Sequence, residues 1–346
     1  MNKRVLLGMS GGVDSSVAAV LLKEQGYEVI GITMELWEGY NSTLSSINDA
    51  KRVCDYLKIP YYTANFKEEF KENVIKDFCN CYANCRTPNP CIECNKFMKF
   101  GAMYKKAQEL GCDFIATGHY ARTKFDEQYN QYVLKKSDSA LKDQSYVLWS
   151  IPKELLSKII FPLEGYEDKE EIRNIASKYN LPVANKPDSQ DICFIPDGNY
   201  KKFLEEYAKF QPKKGNIVNK EGKILGKHNG LYYYTIGQRK GLGISNSVPL
   251  FVIGFNTEKN ELLVGEENEL YKNEIIANDT NWLICKLPQE VTAKTRYTAK
   301  EAKASIFIEE DRSVKVVFKE PQRAVTPGQS IVFYEGDIVI GGGKIV

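Results

Sequence analysis

Between the first apolar run of the chain and its first helical stretch stands Ser10-Gly11-Gly12-Val13-Asp14-Ser15, preceded by Gly8 and Met9 and followed by Ser16. Two glycines let backbone come close to a ligand, successive N–H groups at a helix start face an anion, and serine hydroxyls add donors. The group this suits is phosphate. No lysine occupies the Walker position and no G-x-G-x-x-G is present, so the turn is neither a kinase-type nor a dinucleotide loop. An acidic residue beside a phosphate cradle is unfavourable unless a cation intervenes, which makes Asp14 a candidate Mg²⁺ partner. The second source of chemistry is sulfur. Of nine cysteines, Cys79, Cys81, Cys85, Cys91 and Cys94 crowd one segment, while Cys54, Cys112, Cys193 and Cys285 stand apart. The N-terminal run is too short for a secretory segment, so the expected compartment is the reducing cytosol. There an odd cysteine count argues for thiol chemistry or metal, not structural disulfides.

The elements that must position these groups read as alternating strand and helix up to about residue 200. Val5–Met9 and Glu28–Met34 are apolar runs around a helical stretch, Val13–Gln25. That is a βαβ unit and implies a parallel sheet. Helices follow at Asn48–Leu57, Phe66–Phe78, Asn95–Leu110 and Asp168–Tyr179, and strands at Tyr61–Asn65 and at Asp113–Gly118, the latter ending in a polar turn. Ligands of such sheets bind at the carboxyl ends of the strands, which gathers Ser10–Ser15, Met34 and Gly118-His119 around one crevice. Ala83–Cys94 has no period and contains Pro88 and Pro90, so it reads as a long functional loop. From residues 205–215 onward, short alternating Val-, Ile- and Tyr-rich runs with glycine turns suggest small β-domains. The expected division is a catalytic domain at 1–205, a central domain at 206–277 and a β-barrel at 278–346.

Composition excludes more than it selects. No run approaches the roughly 20 apolar residues of a membrane span. The formal net charge is only +2, so a nucleic-acid partner would have to be met by a local patch or by shape.

The Ser10–Ser16 turn resembles that of the ATP pyrophosphatase superfamily, whose members adenylate a substrate and release pyrophosphate. Longer motifs narrow the resemblance. They are Arg86-Thr87-Pro88-Asn89-Pro90-Cys91-Ile92-Glu93-Cys94-Asn95-Lys96, Gly118-His119-Tyr120, Lys142-Asp143-Gln144-Ser145-Tyr146, Asp188-Ser189-Gln190-Asp191-Ile192-Cys193-Phe194-Ile195, Tyr234–Gly243 and Ala324–Gln329. Together, and across the whole chain, they resemble the bacterial tRNA-specific 2-thiouridylase family, which converts the wobble uridine of certain tRNAs to 2-thiouridine. The resemblance implies an N-terminal ATP pyrophosphatase domain, a small central domain that contacts tRNA and a C-terminal β-barrel. It implies ATP with Mg²⁺ on Gly8–Ser15, Met34 and Gly118. It also implies tRNA contacts at Asn89, Pro90, Cys91, His119, Lys142, Asp143, Gln144, Arg296, Tyr297 and Gln329, with the central domain facing tRNA as well. In the same way, Cys94 is the implied nucleophile and Cys193 the carrier of a persulfide delivered by a cysteine desulfurase or sulfur-relay protein. The polar residues flanking both cysteines argue against burial in an apolar core.

Cys91 departs from the family, many of whose members carry an acidic residue there. With Cys94 and Cys193 it makes three thiolates able to hold a [4Fe-4S] cluster, a rival route to the same product. Cys79, Cys81 and Cys85 match no family position. They read as half-buried thiols on a helix end, or as zinc ligands. Two further readings stand beside thiolation: a synthetase that adenylates a carboxylate, and a non-catalytic RNA-binding protein with a metal on the cysteine cluster.

Overall fold

The computed structural model describes residues 3–38, 41–139, 141–187 and 192–346, the first three of the second stretch by backbone alone. The opening apolar run forms β1 (Arg4–Gly8), after which come α1 (Val13–Glu24), β2 (Glu28–Glu35), α2 (Asn41–Leu57) and β3 (Tyr61–Asn65). Further on, β4 (Phe114–Ala116) is followed by a hairpin of β5 (Ala121–Asp126) and β6 (Gln131–Lys136), then by the short β7 (Ile159–Ile160). Five of these strands make one sheet of order β3-β2-β1-β4-β7, parallel throughout. Its apolar runs are continuous because both faces are covered. Val5, Leu7 and Val29 turn toward α1, whereas Leu6, Ile30, Ile32 and Ile115 turn toward Phe100 and Met103 of a helix on the opposite face.

That second helix corrects the long-loop expectation. Only residues 84–89 are irregular. Pro90 starts a helix, its ring sitting at the first turn, where no N–H bond is lost, and the helix continues to Glu109. The middle of it, Cys94–Ala102, is π-helical, as is Lys71–Ile75 within the preceding helix of residues 67–83. The first turn of this second helix, Pro90–Glu93, is hidden in the sequence by Pro88 and Pro90, whereas the stretch from Asn95 onward reads as helix.

The rest of the chain is β-rich, as expected. β8 (Gly215–Val218), β9 (Ile224–His228), β10 (Phe251–Asn256) and β11 (Glu261–Gly265) form a small sheet of order β10-β11-β8-β9. Then β12 (Tyr271–Trp282), β13 (Glu290–Lys294), β14 (Ala302–Ile308), β15 (Val314–Arg323), β16 (Ser330–Glu335) and β17 (Ile338–Ile345) build the C-terminal barrel, closed by β12 pairing with both β15 and β17. β12 runs across position 277. No described helix is long and apolar enough to cross a membrane.

Two of the ties that join barrel and parallel-sheet domain run through β17. The β5–β6 hairpin pairs with the barrel through Lys135 and Ile338, and Lys136 donates its N–H to the Asp337 carbonyl at 2.8 Å. Val133 of the hairpin enters the barrel core, while its neighbour Leu134 enters the core beneath the parallel sheet. The other tie is ionic. Lys344 of β17 places Nζ 3.0 Å from Glu93 Oε1 and 3.2 Å from Asp77 Oδ1. Glu93 is buried, and burial holds its carboxyl above the usual range despite the lysine.

Removing one partner of a buried pair leaves the other charge unpaired and costs about 3–5 kcal/mol, less where the partners keep some solvent, as Lys344 and Asp77 do. Lys344→Met is therefore expected to lower unfolding free energy by about 2–3 kcal/mol in denaturant titrations. A carboxyl whose folded pKa lies above its unfolded value favours the fold while protonated. That contribution is lost as pH rises through the carboxylate range toward the folded pKa. Losing Lys344 raises the folded value further, so the deficit of the variant is expected to be smaller near pH 5 than near pH 8.

Candidate active site

The turn after β1 is held by its own hydroxyls. Ser10 Oγ lies 3.2 Å from Ser15 Oγ, the Ser10 N–H donates to Ser15 Oγ at 3.2 Å, and Ser16 Oγ donates to the Gly12 carbonyl at 2.7 Å. Gly12 caps α1 without a side-chain partner, so the first N–H groups of the helix face the crevice. Gly11 has φ +70°, and a Cβ there would stand 2.4 Å from the Ser46 carbonyl oxygen of α2. Met9 is buried and fixed by its N–H to the Ile32 carbonyl, while Thr33 Oγ1 donates to the Met9 carbonyl at 2.7 Å. Gly8 ends β1, Val13 opens α1, and half-buried Met34 stands near the end of β2. Gly118 closes it from β4, where a Cβ would meet the Ser15 N–H nitrogen at 3.0 Å.

Two lysines beside this turn, Lys169 and Lys186, have no signal in the sequence. Lys169, at the start of the helix Lys169–Lys178, places Nζ 2.6 Å from both carboxylate oxygens of Asp14, and the Tyr120 hydroxyl donates to Asp14 Oδ1 at 2.9 Å. Lys186 donates to the Gly11 carbonyl at 3.0 Å and to Asp49 Oδ2 at 2.7 Å, and together with Arg52 it holds the Asp49 carboxyl low against the burial that raises it. Solitary lysines in polar stretches are usually solvated, so spacing alone did not single them out. Asp14, the expected Mg²⁺ partner, is ion-paired here. Its charge is already met by Lys169, and an ion held by Asp14 would have to displace that ammonium. The residues present suit phosphate oxygens better than a metal.

On the other side of Gly118 lies the sulfur region. His119 is 9% exposed, with Nδ1 2.7 Å from Thr117 Oγ1 and Nε2 3.3 Å from Lys99 Nζ. Burial, reinforced by Lys99, holds its pKa well below the ordinary value, so the ring is neutral. An ammonium can only donate, so Nε2 accepts from Lys99 and Nδ1 carries the proton given to Thr117. The ring packs edge-on against Phe161 and tilted on Phe100.

Cys94 lies five residues before Lys99. Its helix directs it inward with Met98 among Phe78, Phe194 and Ile195, which overturns the expectation that its polar neighbours keep it out of an apolar core. Burial pushes its thiol up to about 11, against the pull of Lys99. Cys193 is exposed, yet the surrounding chain, and then charge on Cys94 and Cys91, hold its thiol above the ordinary value. Cys91, Cys94 and Cys193 thus come within electrostatic reach of one another from positions far apart in sequence. Asp188–Asp191 of the second cysteine motif lie outside the described residues. Among the described residues, no three His, Cys, Asp or Glu side chains converge in the manner of metal ligands, so the three thiols as placed do not fit a cluster. Cys79, Cys81 and Cys85 are half-buried around the end of the 67–83 helix.

The expected tRNA contacts form a rim, many of them engaged internally. Asn89 is half-buried, Pro90 buried and Cys91 exposed. Asp143 accepts from the N–H groups of Ser137 and Ser145, and Gln144 accepts the Tyr120 N–H at 3.1 Å, which leaves Lys142 beside them half-exposed. The Tyr297 hydroxyl donates to the Asp143 carbonyl at 3.2 Å. Arg296 donates to the Ile236 and Ala324 carbonyls and to Thr326. Gln329 Nε2 donates to the Thr87 and Pro88 carbonyls at 3.0 and 3.1 Å, clasping the barrel onto the loop before the cysteine helix.

Comparison with known proteins agrees with this layout. Residues 3–197 match the family model described as tRNA methyl transferase HUP domain, residues 201–266 the tRNA methyl transferase PRC-barrel domain, and residues 272–345 the aminomethyltransferase beta-barrel domain. Full-length relatives named tRNA-specific 2-thiouridylase MnmA include one from Clostridioides difficile (strain 630), 49% identical over 100% of this chain and 98% of its own length. Those from Acetivibrio thermocellus and Clostridium acetobutylicum are 51% and 50% identical, covering 99% and 100% of this chain and 99% and 100% of their own lengths. The segment descriptions speak of methyl transfer. The relatives align through all three segments at once, and they decide the matter: the chain belongs to the tRNA-specific 2-thiouridylase family, enzymes of the sulfurtransferase class.

Proposed function

We propose that this chain uses ATP to adenylate the C2 oxygen of the wobble uridine of a tRNA and then replaces that oxygen with sulfur carried as a persulfide on Cys193. The observation that carries the reading is continuity. The phosphate turn abuts Gly118, Gly118 adjoins His119, His119 meets Lys99, and Lys99 acts electrostatically on Cys94 and Cys193. Activation and sulfur delivery can therefore occur on one base in one crevice. A carboxylate-activating synthetase has no use for the thiol pair, and a non-catalytic RNA-binding protein has none for the phosphate turn.

ATP, entering with Mg²⁺ on its phosphates, docks on Gly8–Ser15 with Met34 and Gly118 beside it, and pyrophosphate leaves as the uridine is adenylated. The O2 atom of a stacked base is poorly reachable, so the base is flipped into the crevice. Asn89–Cys91, His119 and Lys142–Gln144 of the catalytic domain, Arg296-Tyr297 and Gln329 of the barrel, and the central domain between them are the proposed tRNA rim. The terminal sulfur of the Cys193 persulfide attacks C2, and AMP departs with the C2–O electron pair, leaving C2–S–S–Cys193. Cys94 thiolate then attacks Cys193 Sγ. The bond to the transferred sulfur breaks with its electrons on that sulfur, and a Cys94–Cys193 disulfide remains for a thiol reductant to reopen. The sulfur comes from a cysteine desulfurase or a relay protein.

The test is turnover with ATP, unmodified tRNA and a cysteine desulfurase with cysteine, reading pyrophosphate and, after nuclease digestion, 2-thiouridine by mass spectrometry. Both products are expected, in equal amounts, from iron-free protein. Thiolation that appears only after iron–sulfur reconstitution would replace the persulfide route by the cluster route. Pyrophosphate release independent of tRNA would sink the assignment.

A further inference from the structure

Lys99 is given no step in the scheme above, yet its charge acts on both cysteines of the sulfur transfer. Its direction follows from the helix type. In an α-helix the residues beneath position 94 would be 97 and 98, and position 99 would point well to the side. Cys94–Ala102 is π-helical, with bonds five residues apart, as in the Met103 N–H to Met98 carbonyl. The wide turn brings position 99 back beneath position 94. Gly101 suits this wide turn, since a Cβ there would press on the Lys96 carbonyl, five residues back, at 3.1 Å. The flanking residues fix the rotation. Met98 and Phe100 are each 1% exposed, and Asn95 on another face donates to the Val147 carbonyl at 2.7 Å.

The half-buried ammonium so placed donates to neutral His119 and, among the described residues, pairs with no carboxylate. A cation held out of bulk water without a counter-ion is unfavourable until an anion joins it. The anions this site must handle are sulfur: the Cys94 thiolate and the sulfur released when Cys193 Sγ is attacked. Lys99 favours the charged forms of both Cys94 and Cys193 against the burial that opposes them. His119, tied down by Thr117 and two aromatic rings, serves as the rest that keeps the ammonium aimed.

We propose that Lys99, docked on His119 one π-turn below Cys94, is the cation that eases ionisation of Cys94 when it attacks and receives the negative charge of the transferred sulfur. This rests on the thiolation reading, and the test separates the two. One arm needs neither ATP nor tRNA: alkylation of Cys94 by iodoacetamide in the Cys193→Ser protein, with the modified peptide followed by mass spectrometry. Lys99→Met is expected to slow it about tenfold, and Lys99→Arg to restore most of the rate, because the thiolate is the reacting form. The second arm is turnover. Lys99→Met should lower kcat for thiolation about 10- to 100-fold with KM for tRNA within about threefold and pyrophosphate release nearly unchanged, the pattern of a group acting in the chemical step. Unchanged alkylation would overturn the proposal. So would a raised KM at constant kcat, which would make Lys99 a phosphate contact for tRNA. Should Lys99→Met unfold in thermal melts, Lys99→Gln carries the same two readouts. If the wild-type protein makes no 2-thiouridine, the function falls while the alkylation arm still judges Lys99.

Discussion

Cys94→Ser and Cys193→Ser are each expected to lower release of 2-thiouridine by roughly a thousandfold or more in a single turnover run without thiol reductant, while the tRNA-dependent pyrophosphate of that turnover is still released. The double variant should be no worse than either, as befits groups that act as a unit. Their failures should differ in kind. Without Cys193 there is no carrier, and the tRNA leaves adenylated or hydrolysed. Without Cys94 the sulfur can still reach C2, but nothing cleaves C2–S–S–Cys193. Protein and tRNA then remain joined by a bond that thiol reductant opens. A denaturing gel run with and without reductant reads this directly. The shifted band should appear only in Cys94→Ser and vanish with dithiothreitol. The same band from Cys193→Ser would exchange the two roles, and its absence from both would remove the persulfide step.

The phosphate turn should fail as sharply. Gly11→Ala combines a left-handed backbone, worth about 1–2 kcal/mol to a residue with a Cβ, with a methyl group 2.4 Å from the Ser46 carbonyl oxygen. The turn must shift, taking its N–H groups out of register. Affinity for a non-hydrolysable ATP analogue is expected to fall about tenfold to a hundredfold by calorimetry, tenfold being about 1.4 kcal/mol. Gly26→Ala is the internal control. Its φ of +84° carries the same backbone penalty, but a Cβ there touches nothing within 4 Å. It should lose stability and keep nucleotide affinity, and equal losses at the two positions would mean that backbone strain alone explains Gly11.

What the sequence revealed and what it hid divide along a physical line. β1, α1, β2 and β3 were legible because each is a continuous apolar run or a 3.6-residue period bounded by glycine, and β3 was read to the residue at Tyr61–Asn65. The turn at Ser10–Ser15 was legible because its residue types are intelligible one by one. The start of the helix at Pro90 was obscured by Pro88 and Pro90, and with it the burial of Cys94. Lys99, Lys169 and Lys186 were hidden for another reason. Each matters through a partner remote in sequence: His119 for the first, Asp14 for the second, Gly11 and Asp49 for the third. A lone lysine carries no mark of the group it will meet.

The hairpin β5–β6 shares its side chains between two cores, Val133 with the barrel and Leu134 with the parallel sheet. On the ribosome, it emerges long before β17, the strand that receives it. Until then β6 presents an open edge and Val133 an uncovered apolar surface, conditions that invite pairing with another nascent chain. The parallel-sheet half is thus not a module to be excised or transplanted at a linker. Its completion waits on the last residues of the polypeptide, so premature termination late in the message would spoil the nucleotide-binding half as well as the barrel.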